Sequence, residues 1–408
     1  MNLLFIGSFY PKGIVERIVE DTRGKVGFSN HNFEMSLING FAKQEDIDLR
    51  VIAAPMVFSF PHNNKRAFYK KTAYKCDDYN VSSIGFCNIA LLNMLSQSKA
   101  LEKTIRREVG KFEGDAVTIV VNTPSMILSS ALFKAVTKVK NKKVTTVLIV
   151  PDIPECMVEM SARQTLKNRL VGMINKHTAT LSKLYDKYVY LTEAMNDYYH
   201  ASSDDYIVME GLIDDKCMLS QNIAEDKSGE PKEIILYTGT LRRIFGVTFL
   251  VDVFEKGNFN NAELWICGSG EAADEIADRA RQNDNIKFYG LVDSARAREL
   301  QSMATVLVNP RSSEGRYTRY SFPSKTIEYL LAGKTVLMNK LPGIPHEYDK
   351  FVHYPDNESE EAWVAKLNEI FAMSPSERSD RDIAGRQFIL SNKTASKQCA
   401  RIINLCLK

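Results

Sequence analysis

Ser321-Phe322-Pro323-Ser324-Lys325-Thr326-Ile327-Glu328-Tyr329-Leu330-Leu331-Ala332-Gly333-Lys334 reads as a helix entered from a polar loop and stopped at a glycine. Pro323 suits the first helical position, where its missing N–H is not needed and its φ is already helical. Ile327, Leu330 and Leu331 fall at i, i+3 and i+4 on one apolar face, and Gly333 is a natural stop. Free backbone N–H groups at such a helix start, beside Lys325, make a site for a phosphate. Glu328, one turn further in, is a carboxylate able to accept two hydroxyl hydrogen bonds from a ribose. A phosphate grip beside a diol acceptor points to a nucleotide. Taken alone, the stretch is equally an amphipathic helix with a solvated glutamate, so the rest of the chain has to decide.

The chain of 408 residues is too long for one core and suits two domains. Hydrophobic content of 44% and charged content of 25% are ordinary globular values, and a net charge of +3 argues against a dedicated nucleic-acid binder. Seven cysteines, none in a Cys-x-x-Cys pair, give neither a zinc signature nor an even disulfide framework, and read as reduced thiols of a cytosolic protein. Met1–Gly7 lacks the basic start and long apolar region of a signal peptide and is taken as a first strand. No apolar run approaches ~20 residues, so no membrane span is expected.

Short apolar runs at Leu3–Gly7, Leu49–Ala53, Ala116–Val121, Thr145–Val150, Tyr188–Leu191 and Tyr206–Met209 read as parallel strands buried on both faces. Helical patterns lie near Asn30–Lys43, Ile89–Lys111, Ser125–Val139 and Cys156–Tyr185. The polar stretch 214–232 reads as a linker. A second alternation follows, with strands at Ile234–Tyr237, Glu263–Cys267, Ile286–Tyr289, Thr305–Val308 and Thr335–Met338. The expected class is α/β: two Rossmann-like, doubly wound domains facing each other across a cleft at their strand C-terminal ends. The expected domains are 1–213, completed by a C-terminal helix at 386–408, and 233–385.

Candidate chemistry sits in the loops after strands. The loop after the first strand runs through Gly24 and Gly27 to a helix start at Ser29 or Asn30, and its glycines let backbone approach a ligand. Its spacing is neither Gly-x-Gly-x-x-Gly nor a Walker loop. Asp152 follows a strand in Val150-Pro151-Asp152-Ile153-Pro154, where it orients a sugar hydroxyl, acts as a base, or is a turn residue. In Tyr237-Thr238-Gly239-Thr240-Leu241-Arg242-Arg243 one or both arginines could neutralise a diphosphate. Cys267-Gly268-Ser269-Gly270 is a glycine turn in the next equivalent position, and Asn309-Pro310-Arg311 brings Arg311 and Glu314 towards the same rim. The six histidines lack metal-ligand spacing, and Asp46-Ile47-Asp48 precedes a strand instead of ending one, so no metal site is expected. Between 61 and 111 ten basic residues stand against four acidic ones, with Phe68, Tyr69 and Tyr74 interleaved. That segment either rests on an anionic bilayer or is the solvated face of an ordinary domain.

Together Tyr237–Leu241, Gly268-Ser269-Gly270, Ile286–Gly290, Asn309-Pro310-Arg311, Ser321–Gly333 and Leu341-Pro342-Gly343-Ile344-Pro345 resemble a GT-B-fold glycosyltransferase. The resemblance is to the family 4 enzymes of bacterial surface and capsular polysaccharide assembly. It is specific over about 232–348, and matches only in outline at Pro151-Asp152 and Glu210–Asp214. It implies a nucleotide-sugar co-substrate, expected to be a UDP-sugar, held mainly by the C-terminal domain, with no other cofactor. Ribose binding falls to Glu328, the diphosphate to Ser324 and Lys325, and the base to backbone around Tyr289–Val292, including Gly290 and Leu291. Gly27, Gly239, Gly268, Arg242, Arg243, Arg311, Tyr320, Ser321, Phe322 and Thr326 complete the implied donor set. Three departures from the family pattern involve four positions. Tyr320 stands where a second glutamate is usual, Thr240 and Phe245 align with the usual Arg and Lys, and Pro151 replaces the usual His before the cleft Asp.

The function so implied is hexosyl transfer to a hydroxyl of a carbohydrate or lipid-linked carbohydrate. Asp152, Arg243 and Lys325 are the catalytic candidates. Retention without a metal is expected, in a cytoplasmic protein that rests peripherally on the inner face of the cell membrane and binds no nucleic acid. A sugar-nucleotide epimerase, which would consume donor without acceptor, and a non-catalytic partner subunit are the alternatives.

Overall fold

The computed structural model describes residues 1–23, 28–76, 78–90, 92–153, 166–216, 232–259 and 261–408. Gly27, most of the expected linker and the first third of the helix expected at Cys156–Tyr185 lie outside the described residues. The chain divides into one compact unit of Met1–Asp215 with Thr394–Lys408 and a second of Lys216–Lys393.

Unit 1 runs β1 (Asn2–Gly7), α1 (Val15–Asp21), α2 (Ser29–Ala42), β2 (Asp48–Ala53), β3 (Phe68–Tyr69), β4 (Thr72–Lys75), β5 (Asn80–Ser83) and β6 (Phe86–Cys87). It continues with α3 (Leu92–Val109), β7 (Ala116–Asn122), α4 (Met126–Val136), β8 (Lys143–Val150), α5 (Leu166–Ser182), β9 (Lys187–Tyr190), α6 (Asn196–Tyr199) and β10 (Tyr206–Val208). Eight strands form one sheet in the order β10-β9-β8-β7-β1-β2-β5-β4, parallel apart from β4. Leu3, Leu4, Phe5 and Ile6 have no exposed area, as a strand covered on both faces requires. From β1 the chain winds to β2 on one side and later to β7 on the other, so the order reverses between β1 and β7. Ligands of such sheets bind at that reversal, beyond the strand C-terminal ends.

Unit 2 repeats the scheme with β11 (Glu233–Thr238), α7 (Val247–Gly257), β12 (Ala262–Cys267), α8 (Ala273–Gln282), β13 (Ile286–Gly290) and α9 (Ser294–Met303). It ends with β14 (Val306–Asn309), α10 (Lys325–Ala332), β15 (Thr335–Met338), α11 (Glu360–Ala372) and α12 (Pro375–Asn392). The five-stranded order is β13-β12-β11-β14-β15, all parallel, which puts its reversal between β11 and β14.

The return to unit 1 comes at Thr394, later than the 386 expected, because α12 is one uninterrupted helix. It starts from a Ser374–Glu377 capping box with Pro375 in its first turn and buries Gly385 and Ile389. The last helix, α13 (Ala395–Leu407), buries Cys399, Ile402 and Leu405 in the core that holds Leu37 and Phe41 of α2. Contact is close enough that a Cβ on Gly40 would lie 2.5 Å from the Ala395 carbonyl oxygen. Sequence reading missed α1 and the strands between 68 and 87, which are short and carry mostly polar or exposed residues. Ile402→Ala removes a fully buried side chain from this seam. Urea unfolding is expected to show a loss of roughly 2–4 kcal/mol, and a change below about 0.5 kcal/mol, the size of a neutral surface substitution, would contradict the packing described.

Candidate functional site

At the unit 2 reversal β11 ends in Thr238-Gly239 and β14 in Asn309-Pro310-Arg311. Three strand-end turns are laced together by backbone. The Gly239 N–H donates to Cys267 O (2.9 Å), Gly268 N–H to Gly290 O (2.7 Å) and Leu241 N–H to Ser269 O (3.0 Å). Gly239 and Gly268 both have φ of +144°, and a Cβ on Gly268 would sit 1.7 Å from the Gly239 oxygen. Only glycine allows that approach. The turn is then pinned from α10 and α9: the Thr238 N–H donates to Tyr329 Oη (3.0 Å), and Gln301 Nε2 of α9 donates to Thr238 Oγ1 (3.2 Å).

Lys325 opens α10 and reaches back over this turn. Its Nζ lies 3.7 Å from the centroid of the Tyr237 ring, and a Cβ on Gly239 would fall 2.5 Å from the same Nζ. Tyr237 is itself fully buried and donates its hydroxyl to Thr240 O (2.8 Å). Enclosure pushes the Lys325 ammonium down to about 7; Glu328 opposes the shift and Arg311 adds to it. Glu328, one turn on, is open to solvent along its side chain yet ringed by protein, and desolvation raises its carboxyl above the ordinary range against the pull of Lys325 and Arg298.

The helix start differs from expectation. α10 begins at Lys325, two residues after Pro323, because its first turn is closed tightly: Thr326 N–H donates to Pro323 O (2.9 Å) and Ile327 N–H to Ser324 O (3.1 Å). Ser324 and Lys325 keep their amides without a backbone partner among the described residues. Gly333 ends the helix at φ +66°, and Ile327, Leu330 and Leu331 face the core, as the spacing predicts.

Arg311 joins the group from β14. It donates from Nη2 to Ser321 Oγ (2.8 Å), lies over Tyr317 (4.8 Å) and Phe245 (5.4 Å), and has a buried Nε with no partner among the described residues. Arg242 stacks on the same Phe245 ring (5.6 Å). Arg243 does not join them. Its guanidinium is ion-paired with Glu275 and its backbone N–H donates to Glu271, so the loop turns it towards α8. Phe322 packs on Tyr348 (5.4 Å), Thr326 donates to Met338 Sδ (3.9 Å), and Tyr320 is buried, so these three side chains serve the core. Gly290 has φ +64° with open space around it, and Leu291 next to it is 67% exposed. Glu314 is exposed on the loop.

Two residues that hold the site have no local signal in the sequence. Asn339, just past β15, donates to Pro310 O (3.3 Å) and Arg311 O (3.1 Å), while Trp363 Nε1 donates to its Oδ1 (2.8 Å). Glu358 accepts from Ser312 Oγ (2.6 Å) and Ser313 N–H (2.8 Å). Both act across tens of residues.

Unit 1 carries its own polar cluster at the β1/β7 reversal. Fully buried Glu34 accepts on Oε1 from Ser8 N–H (3.1 Å), Asn30 Nδ2 (3.1 Å) and Asn122 Nδ2 (2.8 Å). Burial pushes its carboxyl above the ordinary range, against the hydrogen bonds from Asn122, Ser8 and Asn30. His31 Nδ1 accepts from Tyr10 N–H (3.2 Å), which ties the β1 loop to the start of α2. Asp152 is exposed two residues beyond β8. No group of three metal-ligating side chains occurs among the described residues.

Residues 232–372 match the protein family described as Glycosyl transferases group 1. No curated protein sequence matches the chain. Among solved structures it is similar to a sucrose-phosphate synthase from Thermosynechococcus elongatus, at 11% identity and TM-score 0.65 over 100% of this chain and 99% of that one. Similar too is the lipopolysaccharide outer core galactosyltransferase WaaB in apo form, at 14% identity and TM-score 0.62 with the same coverage. Anabaena HepE in complex with UDP and glucose matches at 14% identity and TM-score 0.58, over 99% of each chain. At such identities the likeness is one of fold. With the strand-end geometry of unit 2, these findings identify a chain of GT-B glycosyltransferase fold that carries a Glycosyl transferases group 1 domain at residues 232–372.

Proposed function

We propose that this chain transfers a hexosyl group from a nucleotide diphosphate-sugar to an acceptor hydroxyl, with retention of anomeric configuration and without a metal ion. One observation carries the reading: the enclosed Lys325 ammonium lies 3.7 Å from the Tyr237 ring, at a helix start with open amides and one turn before Glu328. A diphosphate supplies the counter-charge that this cation lacks, and Glu328 accepts the ribose hydroxyls. As the glycosidic bond breaks, negative charge grows on the leaving phosphate, where Lys325, Arg311 and the amides of Ser324 and Lys325 stabilise it without reorganising. Arg242 is the second cation of the loop, while Arg243 is engaged by Glu275.

A UDP-hexose is the proposed donor, supported by the UDP and glucose in the similar HepE structure. The proposed setting is surface polysaccharide or glycolipid assembly, supported by the likeness to WaaB. No described helix is long and apolar enough to cross a membrane. A cytoplasmic location with peripheral contact through the 61–111 region, where Phe68, Leu92 and Leu95 are exposed, fits a lipid-linked acceptor. If the reaction instead inverts, Asp152 is the candidate base.

Glu328→Ala is expected to weaken UDP binding by about tenfold, the worth of a hydrogen bond or two to a charged group, with the melting temperature retained; unchanged affinity in calorimetry contradicts the ribose role. The pH dependence follows from Lys325. Its pKa in the free protein is lowered to about 7, and a bound diphosphate favours the charged form, so binding takes up a proton. Affinity for UDP is therefore expected to fall as pH rises through 7–9, by up to about tenfold per unit, and Lys325→Arg, which stays charged, flattens that slope. A flat profile in the wild type argues against Lys325 at the phosphates. Transfer activity is expected to survive EDTA treatment; loss restored by added Mg2+ would overturn the metal-free assignment.

A further inference from the structure

An open groove of about 450 Å³ lies on unit 1, between the end of α3 and the turn that leads into β8. Six of its lining residues are basic, namely Lys103, Arg106, Arg107, Lys138, Lys140 and Lys142, and none is acidic. Because β7 and β8 start beside it, the groove sits at the N-terminal edge of the sheet, the edge away from Ser8, Asn122 and Asp152. It is thus separate from the strand-end loops of its own unit.

Local structure accounts for half of these cations. Arg107 pairs with buried Glu108 (2.9 Å), Lys138 pairs with Glu102 (2.6 Å), and Lys142 donates to the carbonyls of Phe112 (2.9 Å) and Gly114 (2.6 Å). Lys103, Arg106 and Lys140 have no ion pair or hydrogen bond among the described residues, and all three are exposed. The negative end of the α3 dipole favours a cation in its last turn, which covers Arg106 and Arg107. It does not explain Lys103, or why the separate segment 138–142 brings Lys140 to the same groove beside Lys138 and Lys142. Like charges that converge on one cleft repel one another, and such a cleft concentrates anions. The outer face of α3 also starts with Leu92 at 53% and Leu95 at 64% exposure, then continues through Lys99, Lys103 and Arg106 at helical spacing.

We infer that this groove is a phosphate-binding site, distinct from the donor site of unit 2, for a ligand bearing closely spaced phosphate groups. Arg106 offers a planar fork to phosphate oxygens, and Lys103 and Lys140 supply point charges beside it. Such phosphates come from a soluble diphosphate or from an anionic lipid surface, towards which Leu92 and Leu95 would add apolar contact.

The test uses the full chain with its donor site filled by UDP, at about 0.15 M salt, where surface fields are screened beyond roughly 8 Å. Inorganic pyrophosphate is titrated by calorimetry, and phosphatidylglycerol vesicles are used in co-sedimentation. The triple variant Lys103→Gln/Arg106→Gln/Lys140→Gln is compared with Lys256→Gln/Lys350→Gln/Lys408→Gln, which removes the same charge from exposed positions outside the 61–111 region. The groove triple is expected to lose about tenfold or more in affinity for at least one probe, with the control triple close to wild type. Loss for pyrophosphate assigns a soluble ligand, and loss for vesicles alone assigns lipid phosphates. Equal weakening in both triples, or no binding of either probe by the wild type, overturns the site.

Discussion

An ammonium held against an aromatic face and short of counter-charge is what the strand ends of unit 2 are built to keep. Enclosing the Lys325 cation pushes its pKa down to about 7 even with Glu328 opposing the shift. The Tyr237 ring at 3.7 Å offers the ammonium a cation–π contact. Arg311 makes the deficit worse. A cation short of counter-charge in this way is the basis for the proposed anion site. The requirement reaches into backbone: Gly239 must lack a Cβ for Lys325 to lie where it does, and Gly268 must lack one to pass the Gly239 carbonyl. Tyr329, on the buried face of α10, then ties the helix to Thr238, so the cation, the helix start and the glycine turn hold one another in place.

Much of this was legible in the sequence because it is local. The spacing of Ile327, Leu330 and Leu331, the stop at Gly333 and the alternation of strands and helices are short-range patterns, and they read correctly. The α10 start was misplaced by two residues, since a tight first turn closed by the Pro323 and Ser324 carbonyls leaves no mark that separates it from a helix begun at Pro323. Side-chain direction was the weaker part. Arg243 looked equivalent to Arg242, yet Glu275 on α8 decides where it points, and that partner is thirty-two positions away. Phe322 and Thr326 lie in the motif but spend their side chains on Tyr348 and Met338. Asn339 and Glu358 fix the Arg311 loop through long-range hydrogen bonds that no spacing rule reaches.

Unit 1 shows the same economy at its own reversal, but with a carboxyl instead of an ammonium. Glu34 is buried among Ser8, Asn30 and Asn122, with its second oxygen against Gly7 and without a partner among the described residues. Burial raises this carboxyl above its ordinary range, while the hydrogen bonds from Asn122, Ser8 and Asn30 oppose the shift and hold the β1 loop. The two reversals differ in their chemistry: one gathers positive charge at a helix start, and the other gathers hydrogen-bonding groups around a buried carboxyl.

The central claim is that unit 2 grips a nucleoside diphosphate through that unsatisfied cation. It is tested most directly by thermal unfolding of the full chain with UDP, GDP, ADP and dTDP, each beside its monophosphate and nucleoside, because a ligand that prefers the folded state raises the midpoint. A clear upward shift is expected with at least one diphosphate, a smaller one with its monophosphate and none with the nucleoside. No shift with any diphosphate, or equal shifts down to the nucleoside, would contradict it.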